Sequence, residues 1–104
     1  MSEIKRQPLT EPVYYILLSL QTPLHGYGIM QNVKELTNGR VNIGAGTLYG
    51  AINTLLSKGF IAESDSDFAK KNYIITDLGR DVLRNELYRL RELVENGERI
   101  LEGR

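Results

Sequence analysis

The sequence predicts a mainly α-helical domain with one small β-hairpin, a helix-turn-helix pattern in its middle and a long final helix. Three observations predict it. The stretch from Gly44 to Ile61 opens with glycines, reads as a short amphipathic helix and closes on Gly59. Two β-type runs, Phe60–Ser64 and Asn72–Thr76, flank a polar tip. Leu83, Leu87, Leu90, Val94, Gly97 and Leu101 then recur at spacings of four, three, four, three and four, which is a heptad seam.

Composition bounds the possibilities. The chain has 104 residues, enough for one domain with a modest core, and domains of this size gain stability by pairing. It is 41% hydrophobic and 25% charged, a globular balance that argues against disorder. Thirteen basic and thirteen acidic residues cancel. That counts mildly against nucleic-acid binding, for which a basic surface is the usual footprint, although local distribution matters more than the sum. There is no cysteine, which excludes disulfides, thiol catalysis and thiolate metal sites and suits a reducing compartment. The first eight residues lack the apolar region of a signal peptide, and the longest apolar run, Val13–Leu18, is too short to span a membrane. The expectation is a cytoplasmic protein with no membrane partner. No tandem repeat or low-complexity tract is present.

In order along the chain, residues 1–9 form a polar arm. Thr10-Glu11-Pro12 is a helix start, with a capping Thr, an acid and a Pro in the first turn. The first helix is expected from Glu11 to Leu20, with Val13, Ile16, Leu17 and Leu20 inward. Tyr14, Tyr15 and Leu18 widen its apolar surface, so it should meet a second partner, for which another subunit is a candidate. After a break at Gln21–Leu24, His25-Gly26-Tyr27-Gly28 opens a second helix ending near Thr37, with Ile29, Met30, Val33 and Leu36 inward. Glycines are costly in a helix. A close backbone approach would explain these two, either a tight packing corner or a phosphate at the helix N-terminus.

Asn38-Gly39 ends that helix and Val41–Ile43 leads to the third. At 100° per residue from Thr47, Leu48, Ala51, Ile52, Leu55 and Leu56 fall on one side. Gly50, Asn53, Thr54 and Ser57 fall on the other, with Thr47, Tyr49 and Lys58 at the margins. This outer face is small, polar and free of carboxylates. It suits a helix that enters a DNA groove past the phosphates, and equally a buried helix with a polar back. The hairpin tip, residues 65–71, holds Lys70 and Lys71, placed either to reach phosphate or simply for solvation. Thr76 caps the final helix, Asp77–Leu101, about 38 Å long at 1.5 Å per residue. Leu78, Val82, Leu93 and Ile100 flank its seam. A core of this size cannot cover it all, so part of the seam should face another chain.

The order helix, helix, helix, hairpin, long helix now carries specific residues. They are Leu9-Thr10-Glu11-Pro12 with Tyr15-Ile16-Leu17, His25-Gly26-Tyr27-Gly28-Ile29-Met30, Gly46-Thr47-Leu48-Tyr49-Gly50-Ala51-Ile52, Leu55 with Gly59-Phe60-Ile61, and Tyr73 with Thr76 and Gly79. In combination these resemble the PadR-type transcriptional regulators, closely over residues 9–80 and by architecture beyond. The resemblance implies a winged helix-turn-helix DNA-binding domain over 1–76 and a dimerisation helix over 77–104, packed as a single compact unit. It implies a homodimer joined through its first and last helices, and binding of a pseudo-palindromic double-stranded operator as a repressor. Release by a small molecule or other signal is also implied, with a small hydrophobic or phenolic effector as the expected class.

Carried over by position, the resemblance puts Tyr27, Thr47, Tyr49, Asn53, Thr54, Lys58, Lys70, Lys71 and Tyr73 at DNA. Tyr14, Tyr15, Leu18, Leu83, Leu87, Leu90, Val94 and Leu101 go to the dimer interface. Two departures stand out. Gly44 replaces the Ser or Thr that often caps the recognition helix, and no basic residue stands near Asn53 and Thr54.

No enzyme is expected: His25 is the only histidine and no nucleophile–base pair, metal cluster or phosphate loop is present. No metal or cofactor is expected either. Some compact relatives stack flat hydrophobic compounds on a Trp at the dimer interface. This chain has no Trp, and Tyr14, Tyr15 and Tyr88 are the aromatic surface available for a ligand or for filling the interface. The competing function is a winged helix that binds protein instead of DNA, which the neutral net charge keeps open.

Overall fold

The computed structural model describes residues 8–64 and 71–103. The elements run α1 (Glu11–Ser19), α2 (Gly26–Leu36), α3 (Ala45–Ser57), β1 (Ile61–Ser64), β2 (Asn72–Ile75) and α4 (Asp77–Glu102). Each helix starts where its local chemistry places the start. The Thr10 hydroxyl accepts from Val13 N–H at the head of α1, and the Thr76 hydroxyl accepts from Gly79 N–H at the head of α4. His25 heads α2, its Nδ1 accepting from Gly28 N–H at 3.1 Å. Gly44 heads α3 with no side-chain cap.

β1 and β2 pair antiparallel, Ile61 opposite Ile75 and Glu63 opposite Tyr73. The segment read as a break, Gln21–Leu24, contributes a short third rung. Leu24 and Tyr73 exchange both backbone hydrogen bonds, at 3.1 and 2.8 Å, and Ile75 N–H reaches Leu20 O. The chain leaving α1 is thus tied to the hairpin before α2 begins.

The core is one cluster in which α1 supplies Ile16 and Leu17, its C-cap supplies Leu20, α2 supplies Ile29 and Val33, and α3 supplies Leu48, Ile52 and Leu55. Ile43, Ile61, Tyr73, Ile75 and Leu83 close it. Leu36, expected inward, is exposed. It shares the angular face of Ile29 and Val33 but lies in the last turn of α2, beyond the reach of the core. There the Thr37 hydroxyl donates to Val33 O and accepts from Val41 N–H, folding the chain away.

The root of α4 is anchored tightly. A side chain at Gly79 would collide with the Phe60 carbonyl oxygen and lie 2.8 Å from Ile75 Cγ1. Thr76 N–H bonds to Phe60 O, and the Thr76 hydroxyl donates to Gly59 O at 2.7 Å. One turn past Leu83, the buried carboxylate of Glu86 takes Arg89 bidentately at 2.7 and 2.8 Å and accepts Leu9 N–H at 3.0 Å. Arg89 holds the Glu86 carboxyl below the usual range against the opposing effect of burial, with the Leu9 N–H adding to the lowering. This clamp ties the entry to α1 to the middle of α4. Among the described residues no helix is long and apolar enough to cross a membrane.

Candidate nucleic-acid interface

Helices α2 and α3 and the hairpin converge at the start of α2. Tyr27 projects there, exposed, its ring 6.5 Å from the His25 ring in a stacked arrangement and its hydroxyl accepting from Gln31 Nε2 at 2.6 Å. On α3, Thr47, Gly50, Asn53, Thr54 and Ser57 are exposed along one side. Thr54 donates its hydroxyl hydrogen to Gly50 O and Ser57 donates to Thr54 O, both at 3.2 Å. These short side chains therefore fold back on the helix, keeping its outer surface low. Lys58 closes α3 with its ammonium 6.0 Å from the Phe60 ring centre.

Glycines add to the low profile. A Cβ at Gly46 or Gly50 would meet nothing within 4 Å. Neither backbone has positive φ. Each therefore carries the helix cost of glycine, about 1 kcal/mol relative to alanine, with no neighbour among the described residues that requires it.

The predicted positions divide. Tyr27, Thr47, Tyr49, Asn53, Thr54 and Lys58 lie exposed around α3 and the start of α2. Lys71 is exposed on the hairpin, 3.5 Å from Glu63, an exposed ion pair of little energetic weight. Lys70 lies outside the described residues. Tyr73 does not face outward. It is 6% exposed and belongs to the core, where burial pushes its hydroxyl pKa up. The alternation of β2 is the reason: Tyr73 shares its inward side with Ile75. Its backbone, not its ring, serves the hairpin.

Tyr49 also departs from a free, groove-facing side chain. Its ring lies across Gly26, so a Cβ there would collide with the Tyr49 hydroxyl and stand 2.7 Å from Cζ. The tight-corner alternative for the α2 glycines therefore holds at Gly26.

Of the α1 and α4 positions expected at an interface, Tyr14, Tyr15, Leu18 and Leu90 are half-buried, and Leu87, Val94 and Leu101 are exposed. Leu83 instead lies within the chain's own core, because the first two turns of α4 still pack on the hairpin and α1. Beside it, Tyr14, Leu18 and Leu87 line an open, mainly apolar groove between α1 and α4. On the neighbouring side of α1, Tyr15 and Glu11 flank a second groove, where Glu11 pairs with Arg40, lowering the Glu11 pKa and raising that of Arg40. Among the described residues no group of His, Asp and Glu is arranged to hold a metal ion.

Sequence reasoning missed Glu86, Leu24 and the Tyr49–Gly26 contact. Glu86 had a visible signal: a carboxylate between Leu83 and Leu90 on the inner face, with Arg89 three residues on. Leu24 had none, since a one-residue bridge leaves no period.

Comparison with known proteins places these features. The sequence profile of the "Transcriptional regulator PadR-like family" matches residues 15–85. Among solved structures, a PadR family transcriptional regulator from Eggerthella lenta is 30% identical, with a TM-score of 0.71 over 88% of this chain and 82% of that one. A PadR family transcription regulator from Clostridium difficile is 24% identical, with a TM-score of 0.75 over 86% of this chain and 97% of that one, a likeness of fold. An uncharacterized 37.1 kDa protein in transposon TN4556 of Streptomyces fradiae is 30% identical over 71 residues, 68% of this chain. The chain spans only 20% of the length of that relative.

Proposed function

The chain belongs to the PadR-like family of transcriptional regulators, and from that premise we propose that it is a homodimeric winged-helix repressor of a pseudo-palindromic operator. In this reading residues up to 76 form the DNA-binding unit, residues 77–104 form the dimerisation helix, and the protein works on chromosomal DNA in the cytoplasm. The observation that carries it is the outer face of α3: Thr47, Gly50, Asn53 and Thr54 are exposed, short and uncharged, with glycines that no internal contact explains. Phosphates repel carboxylates on approach, and the major groove admits a helix of low profile. Thr47 and Asn53 are the candidate base-edge readers, while Tyr27, Lys58, Lys71 and, outside the described residues, Lys70 attend to phosphate.

Two subunits are needed for a two-fold operator. The exposed Leu87, Val94 and Leu101 on α4, with Tyr14, Tyr15 and Leu18 on α1, supply the apolar surface for pairing. An effector that releases the repressor would be a small hydrophobic or phenolic compound, the class that suits the groove between Tyr14, Leu18 and Leu87.

The test is a fluorescent duplex of the promoter DNA upstream of the protein's own gene, titrated across salt beside a scrambled duplex. The expected result is promoter-preferring binding of two subunits per site, weakening steeply as salt rises because phosphate contacts release counterions. Binding without preference or salt dependence would overturn the reading and favour a protein partner for the winged helix.

A further inference from the structure

We propose that Tyr49 serves operator binding as a positioning residue: its ring, seated on the bare backbone of Gly26, fixes how α3 stands against the start of α2 and the hairpin. The proposal rests on the DNA-binding reading above. It begins with an unexplained glycine. Gly26 is the first residue of α2 and its φ is not positive, so backbone conformation does not demand glycine there. Space does. Gly26 is buried, and an added Cβ would collide with the Tyr49 hydroxyl, lie 2.7 Å from Cζ and 3.2 Å from Cε1. The hydroxyl end of the Tyr49 ring, Oη with Cζ and Cε1, therefore occupies the place of a side chain on α2.

The contact sits where three elements meet. Two residues before Gly26, Leu24 is locked to Tyr73 of β2 by paired backbone hydrogen bonds. One residue before Gly26, His25 caps α2 through Gly28 N–H, which fixes the direction in which α2 departs. Tyr49 lies in the second turn of α3, two residues from Thr47 and four from Asn53. A rotation of α3 about its axis carries all three together, and the seat at Gly26 blocks that rotation. Half-exposed as it is, the Tyr49 ring is committed to this seat and acts on DNA through the placing of Thr47 and Asn53.

Two variants of Tyr49 separate this role from direct contact through the hydroxyl. Tyr49→Phe keeps the ring on Gly26, and Tyr49→Leu removes it. Operator affinity is expected to stay within about threefold of wild type in Tyr49→Phe and to fall about tenfold or more in Tyr49→Leu, the scale of one lost base-pair recognition. Binding to a scrambled duplex should change little, since phosphate contacts supply it. A loss in Tyr49→Phe equal to that in Tyr49→Leu would overturn the proposal, because the hydroxyl would then be the working group. Gly26→Ala should reproduce the Tyr49→Leu loss while dimerisation, read by sedimentation, is retained. Full operator affinity in a folded Gly26→Ala protein would also overturn it.

The joint is tested independently of DNA by the α-proton resonances of Gly26 in the free protein. The aromatic ring above them should shift them in wild type and in Tyr49→Phe, and Tyr49→Leu should return them to ordinary glycine values. Unmoved resonances across all three proteins would sink the proposal. Moved resonances with no operator preference in wild type would leave the joint standing and count against the DNA-binding reading instead.

Discussion

Leu17 in α1 and Leu20 at its C-cap are fully buried, whereas Leu93 in α4 keeps 54% of its surface in solvent and Leu101 keeps 85%. Both regions use the same apolar residues at helical spacing. The difference is what lies opposite. Around α1 the facing residues come from α2, α3 and the hairpin, and together they complete a core within one chain. Beyond Glu86 the described chain offers α4 no such facing layer. The first region is a finished fold, while the second is an amphipathic surface whose apolar side is left largely open by the described residues. Apolar spacing alone identifies a face, not the molecule that covers it.

Four experiments break or sharpen this contrast. Leu17→Ala should cost about 2–5 kcal/mol in chemical denaturation, the range for emptying a well-packed core site; a loss well under 1 kcal/mol would erase the distinction between the regions. Leu87→Glu should weaken self-association by about 2–3 kcal/mol, as expected for a charge placed in a hydrophobic interface. Sedimentation across concentration would reveal monomers, and an unchanged dimer would remove α4 from the interface.

Glu86 marks the border between the regions. Its folded pKa is lowered from an ordinary 4.5. Its contribution is therefore fully present above that value and is lost as pH falls through the lowered folded pKa. Glu86→Gln should cost about 1–2 kcal/mol near neutral pH, through the weakened charge-assisted bonds to Arg89 and Leu9. The variant should also lack that part of the acid-side decline, as measured by urea unfolding from neutral pH downward. Equal acid sensitivity in both proteins would assign the decline to other carboxylates.

The smallest effect has opposite signs in two assays. Gly50→Ala should stabilise the folded protein by about 0.5–1 kcal/mol, since alanine is the better helix former and its methyl meets nothing. The same methyl should weaken operator binding if DNA approaches the α3 backbone there. A gain in stability with unchanged binding would make α3's outer face an idle surface.

The elements and their order were legible because each carries a local signal: Thr10 and Thr76 as caps, the face of Leu48, Ile52 and Leu55, the alternation around Ile75. The candidate site was legible to the level of which helix and which side. Tyr49 was placed on the margin of α3 correctly by angle, yet its seat on Gly26 depends on the crossing of two helices, which no single-helix period encodes. Tyr73 was misplaced for a related reason. A tyrosine in a hairpin suits either side of the sheet, and only pairing with Leu24 and the shared side with Ile75 turn it inward. Leu36 failed at the other limit, where the helix outruns its neighbours. Leu83 was read as seam and is core, since one heptad pattern continues across the border between the two regions.

The close approach at Gly79 gives α4 a fixed foot. With its backbone against the Phe60 carbonyl, Leu83 in the core and Glu86 held by Arg89 and Leu9, the helix is set as far as Glu86. It extends about 24 Å beyond that residue at 1.5 Å per residue, so a bend of about 5° there would move its tip by about 2 Å. A force on the tip therefore meets the Glu86 clamp before it meets the hairpin.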